Sequence, residues 1–490
     1  MNHWIGQHKN ERPHDAAFYV GQRCISYGEL AHEASSLAAG LAELGIGLGI
    51  RVGVQGANSA DWIFALHAIW WRGATVVPLH DRLGREALQR HVEAADVDLL
   101  LSEEAPSAVA KEVSHCTFNE LRELGCDPIG AEEMDASDVA TILLTSGSTG
   151  TPRAVPATVE NHMASANASA KRLGRRADDR WLCVLPLCHI GGLAIAIRSA
   201  IYGTSFDLMK SFDTSSVAHR LVNQPITLAS FVPTMLRRLL DDYENAFDTS
   251  LRAVLVGGGP AGGDELRRAR RRGLPVVSTY GMTEACSQLA TLAPDAHASR
   301  LHTAGRPLPG VELMIANDER RPTPAGTPGM LWARGSMLCD GYLEMPDDRA
   351  PDSFVDGWFR TGDIGSLDDD GFLTIHCRAG DRIITGGENV DPREVEAVLR
   401  AVDGVEDVAV LGVDDEHWGQ LVACAVVASQ QLHPRLVEVS RQRLASFQIP
   451  RRWSFMPRLP KTASGKIDGM RLREQMASHQ RDTLCSEDTP

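Results

Sequence analysis

The run Thr141-Ile-Leu-Leu-Thr-Ser-Gly-Ser-Thr-Gly-Thr151, followed by Pro152 and Arg153, decides how this chain folds. Thr141 to Leu144 read as a short buried strand. The strand breaks into a loop with five hydroxyl side chains (Thr145, Ser146, Ser148, Thr149, Thr151) and two glycines, Gly147 and Gly150. Glycine lets the backbone fold tightly and aim its N–H groups inward, and the hydroxyls add donors, so such a loop can cradle phosphate oxygens. It is not a Walker A loop, because G-x-x-x-x-G-K-[ST] is absent. By itself the loop reads equally well as a flexible linker. Its place directly after a buried strand favours phosphate.

Outward from this loop, helix and strand signals alternate. Tyr27 to Leu44 and Asp61 to Trp71 have helical spacing. Arg51–Gln55, Ala74–Pro78, Val97–Leu101, Ala253–Val256 and Val276–Tyr280 read as short buried strands. That alternation predicts layered, mostly parallel α/β structure. Residues 310–377 shift towards β structure with Gly/Pro turns. Beyond about residue 380 the pattern becomes compact α+β: helix Pro392–Leu399, strands Val405–Val413 and Leu421–Ala428, and a basic helix near Val437–Leu444. The fold class is therefore α/β: a large multi-layer N-terminal domain with a β-rich part, residues 1–377, and a small α+β C-terminal domain, residues 378–490. The last residues, from about Ser478, read as a frayed polar tail.

The 490 residues exceed what one core usually organises, roughly 250–300 residues, which supports two domains. A hydrophobic content of 43% excludes disorder for the bulk of the chain. The net charge of −15 argues against a nucleic-acid partner. The N-terminus lacks the apolar core of a signal peptide. The most apolar stretch, Trp181 to Ile201, is interrupted by Pro186, His189, Gly191, Gly192 and Arg198, so no membrane span is expected. Ten scattered cysteines without a C-x-x-C pair fit reduced thiols and a cytoplasmic location. Only six of the 49 basic residues are lysine: Lys9, Lys111, Lys171, Lys210, Lys461 and Lys466. A site that keeps a lysine does so against the habit of this chain.

Further motifs follow in order: Gly257-Gly-Gly-Pro260, Tyr280-Gly-Met-Thr-Glu284, Arg360-Thr-Gly-Asp363, RAGDRIITGGEN from Arg378 to Asn389, and Leu459-Pro-Lys-Thr-Ala-Ser-Gly-Lys466. Together with the hydroxyl-rich loop they resemble the adenylate-forming superfamily of acyl- and aryl-CoA ligases, peptide-synthetase adenylation domains and luciferases. The resemblance covers nearly the whole chain. It departs at Arg153, where the family usually has lysine; both cations suit a polyphosphate.

The resemblance implies ATP, Mg²⁺ and CoA as cofactor and co-substrates. Thr145 to Gly150 and Arg153 would hold phosphates, and Gly258, Gly259, Pro260, Tyr280 and Gly281 would lie against adenine. Asp363 and Arg378 would take the ribose. Lys466 would touch carboxylate and α-phosphate together. Glu284 would bind Mg²⁺, and Thr283 would donate to the α-phosphate or acyl carbonyl. Thr283 and Glu284 could equally cap a helix from Glu284 to Leu289. His189 in Pro186-Leu-Cys-His-Ile-Gly-Gly192 would close the acyl pocket, with Gly191 and Gly192 admitting substrate near the backbone; a satisfied core histidine is the plainer reading. Gly386 and Gly387 would pass pantetheine. The C-terminal domain would be mobile, with a hinge near 378–381, where the residue two after Arg378, often Asp or Lys in the family, is Gly380. Homodimers are common among such relatives.

The segments between the motifs, especially residues 186–213 and 280–292, resemble a branch whose acid carries an aromatic ring and a second carboxylate. Arg82 and Ser230 are candidates to receive that carboxylate, although helix-start packing explains Arg82 equally well. Three readings stand: that acid–CoA ligase; another acyl- or aryl-CoA ligase or a free-standing adenylation enzyme; and an inactive acyl-adenylate-binding regulator. The last predicts loss of Lys466, Glu284 or Asp363, and all three are present.

Overall fold

The computed structural model describes residues 3–104, 113–125, 127–146, 152–259, 261–343, 353–385, 388–415, 418–461 and 467–478. Gly147, Ser148, Thr149, Gly150, Pro260, Gly386, Gly387, Lys466 and the expected tail from residue 479 lie outside them.

The chain forms two compact units. One comprises Met1–Leu313, Ala333–Arg360 and Gly371–Leu373; the other comprises Met314–Trp332, Thr361–Asp370 and Thr374–Pro490.

In the first unit, a nine-stranded sheet runs in the order Arg306–Pro307, Ser287–Thr291, Val276–Met282, Ala253–Val256, Leu228–Phe231, Arg180–Cys183, Ser205–Leu208, Ala16–Val20 and Arg23–Ser26. The six strands from Val276–Met282 to Ala16–Val20 pair in parallel. Ala253-Val-Leu-Val256 shows why: all four residues are buried, as continuous apolar runs are when both faces of a parallel sheet are covered. A six-stranded sheet runs in the order Ser114–Thr117, Leu99–Ser102, Arg51–Gln55, Thr75–Leu79, Val139–Ser146 and Pro152–Thr158. The stretch singled out as too interrupted for a membrane is the strand Arg180–Cys183 followed by the helix Ile190–Tyr202, almost wholly buried. Among the described residues no helix is long and apolar enough to cross a membrane.

The nine-stranded sheet has a reversal in its strand order. From Arg180–Cys183 the chain moves one way to Ser205–Leu208, then returns to the other side at Leu228–Phe231. Open α/β sheets bind ligands outside the carboxyl ends of their strands at such a reversal. Here those ends lead into residues 184–189, 232 and 257–259.

The second unit centres on the antiparallel strands Asp407–Asp415 and Gly419–Val427, paired over their full length, with Arg452–Phe455 parallel beside the latter. Helices Pro392–Arg400 and His433–Arg443 bury Val395, Leu399, Leu436 and Val439 against Val408, Val410 and Val426. Both helices carry proline in the first turn, where its missing N–H would have no partner anyway. The region expected to be β-rich contains strands Glu312–Ala316, Gly329–Arg334, Trp358–Leu367 and Leu373–Arg378.

Candidate active site

Tyr280-Gly-Met-Thr-Glu284 closes an antiparallel hairpin. Strand Val276–Met282 pairs with Ser287–Thr291, with Tyr280 opposite Ala290 and Gly281 opposite Gln288. Between the strands stands only a 3₁₀ turn, Thr283–Ala285. The helix expected from Glu284 to Leu289 is therefore corrected to one turn and a strand. Glu, Ala and Leu favour helix, but pairing with the preceding strand and burial of Gln288 to Thr291 override that weak preference.

The turn is strained. Cys286 has φ 48° and Ser287 φ 112°, both in the left-handed half of conformational space. Such backbone persists where its surroundings over-determine it. The Ser165 hydroxyl donates to the Cys286 carbonyl at 2.7 Å, and the Cys286 N–H donates to the Thr283 carbonyl at 3.1 Å. The Cys339 N–H donates to the Glu284 carbonyl at 2.8 Å. The Glu284 carboxylate in turn accepts from the Tyr342 hydroxyl at 2.8 Å. Burial, and then the nearby carboxylate, raise the Tyr342 phenol, which keeps it a proton donor.

Hard Mg²⁺ takes oxygen ligands, usually one or two carboxylates with substrate phosphates and water. Glu284 fits that role. It is half-buried and held from one side by a neutral donor, and no salt bridge occupies it among the described residues.

Arg198, on the buried helix Ile190–Tyr202, is only 3% exposed and has no carboxylate partner among the described residues. Its Nη2 donates to the Ser165 hydroxyl at 3.3 Å, and its Nε has no hydrogen-bond acceptor among the described residues. Burial lowers its guanidinium from the usual arginine range. A buried cation without a counter-charge is costly, and a bound anion would relieve it. Through Ser165 it stands two hydrogen bonds behind the Cys286 carbonyl, beside the Thr283–Glu284 turn.

The hydroxyl-rich loop joins two antiparallel strands, Val139–Ser146 and Pro152–Thr158, with Thr145 opposite Arg153 and Ser146 opposite Pro152. Arg153 lies 5.5 Å from the centre of the Tyr342 ring, and the Leu343 N–H donates to the Ala154 carbonyl at 3.0 Å. Residues 339–343 thus tie the base of the hydroxyl-rich loop to Glu284.

His189 follows the strand Arg180–Cys183 and occupies the N-cap of the helix Ile190–Tyr202. Asn58 fixes the approach: its amide donates to Leu185 and Met209 carbonyls at 3.0 Å, and its oxygen accepts from the Leu187 N–H at 2.9 Å. A side chain at Gly192 would lie 2.4 Å from the Pro186 carbonyl oxygen, so this glycine serves the packing of its own turn; Gly191 stands beside it. Ser230, on the neighbouring strand, accepts from Trp181 Nε1 at 3.1 Å. Gly258, in the left-handed region at φ 74°, and Gly259 follow the strand Ala253–Val256. Arg82 is exposed in the turn before the helix Arg85–Ala95, where its N–H donates to His80 Nδ1.

In the second unit Asp363 is 4% exposed, and its Oδ1 lies 3.0 Å from Arg378 Nε. Arg378 also donates to the Thr361 carbonyl at 3.1 Å. Gly380 sits in the following turn, with open space where a side chain would go. Lys461 pairs with Asp407 at 3.1 Å. Lys461 and Ile467 form a bridge, and the Asp468 N–H donates to the Pro460 carbonyl.

Three residues escaped the sequence reading: Tyr342, Arg198 and Asn58. Tyr342 lies outside every motif. Arg198 carried one signal, a charge inside an otherwise apolar helix.

Comparison with known proteins gives a consistent pattern. Residues 6–343 match the model of the AMP-binding enzyme family, and residues 394–466 match the AMP-binding enzyme C-terminal domain. A 2-succinylbenzoate–CoA ligase of Bacillus licheniformis is 38% identical over 95% of this chain and 98% of its own. A ligase of the same name from a Geobacillus species is 36% identical over 98% and 99%. The o-succinylbenzoate CoA synthetase of Bacillus subtilis, solved with its acyl-adenylate intermediate, superposes with a TM-score of 0.90 at 32% identity, covering 100% of this chain and 99% of that one. The same synthetase with ATP and magnesium ion gives 0.89 at 33% identity, covering 97% and 99%.

Proposed function

Because this chain belongs to the AMP-binding enzyme family, we propose that it is an ATP-dependent acid–CoA ligase that converts o-succinylbenzoate to o-succinylbenzoyl-CoA. The observation that carries the assignment is end-to-end likeness: the similarity to 2-succinylbenzoate–CoA ligases runs through nearly the full length of both chains rather than through the shared motifs alone.

The chemistry has two displacements. A carboxylate oxygen of the acid attacks the α-phosphorus of ATP, and the bond to pyrophosphate breaks. The CoA thiol, losing its proton, then attacks the acyl carbonyl and AMP leaves. The first step brings two anions together, so the site must supply cations and donors and hold the reactants in line. In our reading the hydroxyl-rich loop and Arg153 hold the phosphates, and Tyr280 with Gly258 and Gly259 borders the adenine. Asp363 accepts from the ribose hydroxyls, and Arg378 aligns that carboxylate. Glu284 holds magnesium, which neutralises phosphate charge when bound. Thr283 donates at the reacting centre. Lys466 is the ammonium that meets both the acid and the α-phosphate.

o-Succinylbenzoate has a second carboxylate, on its ring, that must stay unactivated and still be paired. Arg198 supplies the buried cation that this group requires; exposed Arg82 does not combine charge with burial. The hinge we assign to residues 378–381 would exchange Lys466 for the Gly386–Gly387 segment between the two steps. Scattered free thiols support work in the cytoplasm, and the assembly we expect is the homodimer common among such ligases.

Pyrophosphate release, followed with o-succinylbenzoate, simple benzoates and fatty acids, with and without CoA, tests the assignment. Turnover is expected with o-succinylbenzoate, with CoA consumed in equal amount. No turnover of that acid would refute the reading.

A further inference from the structure

Two strands from different sheets of the first unit end close together. Thr75–Leu79 ends at His80, and Arg180–Cys183 leads on to Cys188 and His189. One ligand atom each of His80, Cys188 and His189 lies within 4.8 Å of the other two. The two imidazole rings stand 5.7 Å apart at their centres. Cys188 is buried, and His80 and His189 are half-buried.

The surroundings of this trio resemble those of a metal site. The Asp81 carboxylate lies 2.9 Å from His80 Nδ1 and would accept its proton when Nε2 binds a metal; with Nδ1 bare, that nitrogen instead accepts from the Arg82 N–H at 3.0 Å. Histidines that bind metals are oriented by a partner on the other ring nitrogen, most often a carboxylate or a backbone group. Engaging Nδ1 leaves Nε2 for a ligand. His189 is fixed in turn by the Asn58 clamp on residues 185–187 and by its place at the helix start.

We propose that His80, Cys188 and His189 form a binding site for one borderline-soft divalent cation of the zinc type, with a fourth position open to water. Two imidazoles and a thiolate suit such an ion and are poor ligands for magnesium, which takes oxygen. The site is thus chemically distinct from the one assigned to Glu284. Zinc bonds of about 2.0–2.1 Å to nitrogen and about 2.3 Å to sulfur place tetrahedral ligand atoms roughly 3.3–3.8 Å apart. The trio must close by about an ångström to bind the ion, and His80 stands at the start of a turn in which Asp81 and Arg82 are exposed. As the metal–sulfur bond forms, the Cys188 S–H proton passes to solvent, and no electron changes hands. Because the thiol must give up its proton to bind, loading releases about one proton.

Cobalt(II) titration of the full chain, reduced and stripped of metal, tests the proposal. Wild type should bind one equivalent with a near-ultraviolet thiolate-to-cobalt band that Zn²⁺ displaces. Cys188→Ser should abolish the band, and His80→Gln should weaken binding at least tenfold. Cys24→Ser, which alters an exposed thiol, should leave both unchanged. Absence of the band in wild type would overturn the site, as would its survival in Cys188→Ser. Should Cys188→Ser fail to fold, unchanged cobalt affinity in His80→Gln overturns it equally.

Discussion

The Tyr342 hydroxyl donates to the Glu284 carboxylate at 2.8 Å, while Arg153 stands 5.5 Å from the centre of the same ring. One phenol thus connects the carboxylate assigned to magnesium with the cation at the base of the hydroxyl-rich loop. Tyr342→Phe keeps the ring and removes the donor. Hydrogen bonds to charged groups contribute about 1.5–3 kcal/mol, so the variant should need about ten- to a hundredfold more Mg²⁺ for half-maximal adenylation. Pyrophosphate release against Mg²⁺ concentration reads this directly. An unchanged Mg²⁺ requirement would reduce Tyr342 to a packing residue.

Arg198→Met should raise the KM for o-succinylbenzoate by about a hundredfold, or roughly 2–3 kcal/mol, with little change for ATP. The control is an analogue that lacks the ring carboxylate. Wild type should prefer the diacid strongly, and the variant should lose that preference. Equal loss with both acids would mean that Arg198 supports the Ser165–Cys286 contact instead.

Lys466→Ala should slow adenylation by two or more orders of magnitude, yet leave thioester formation from supplied acyl adenylate nearly intact. Stopped assays of each half-reaction separate the two. Comparable losses in both steps would count against an adenylation role. Gly380→Ala gives the complementary test, because the open space at that position admits a side chain. Restricting the backbone there should slow the thioester step several-fold and spare adenylation.

Acid should loosen the first unit through buried histidines. Burial lowers His3 and His162 to about 3, and pushes His67 well down. In the unfolded chain each would take a proton near 6.5. The unfolded state therefore binds more protons between about 3 and 6.5, and stability falls as pH drops through that window. At pH 5 each group should cost about 2 kcal/mol. His162 accepts from or donates to the Thr141 hydroxyl at 2.9 Å, a bond that glutamine can replace. His162→Gln should melt with a shallower dependence on pH between 5 and 6.5, measured by circular dichroism. A slope equal to that of wild type would place the titrating groups elsewhere.

Local patterns that extend over several residues were legible in the sequence. Ala253–Val256 and Arg51–Gln55 declare themselves as strands because both faces are buried, and the helix from Tyr27 shows one buried stripe. Features set by distant partners were not. Ser287–Thr291 looks helical until it pairs with Val276–Met282. Arg198 looked like an interruption in an apolar run, because only packing against Ser165 shows that its charge lies buried without a carboxylate among the described residues. Tyr342 acquires a role only when residues 339–343 lie between Ala154 and Glu284, more than fifty positions away in sequence.

The left-handed pair Cys286–Ser287 bears on how this enzyme could be engineered. Glycine at Ser287 would relieve backbone strain, typically by about 1 kcal/mol, so any selection for heat resistance alone would favour it. The same exchange would loosen the turn that aims Thr283 and Glu284. Thermostabilised variants recovered without an activity screen should therefore accumulate changes behind the groups assigned to catalysis, gaining melting temperature while turnover declines.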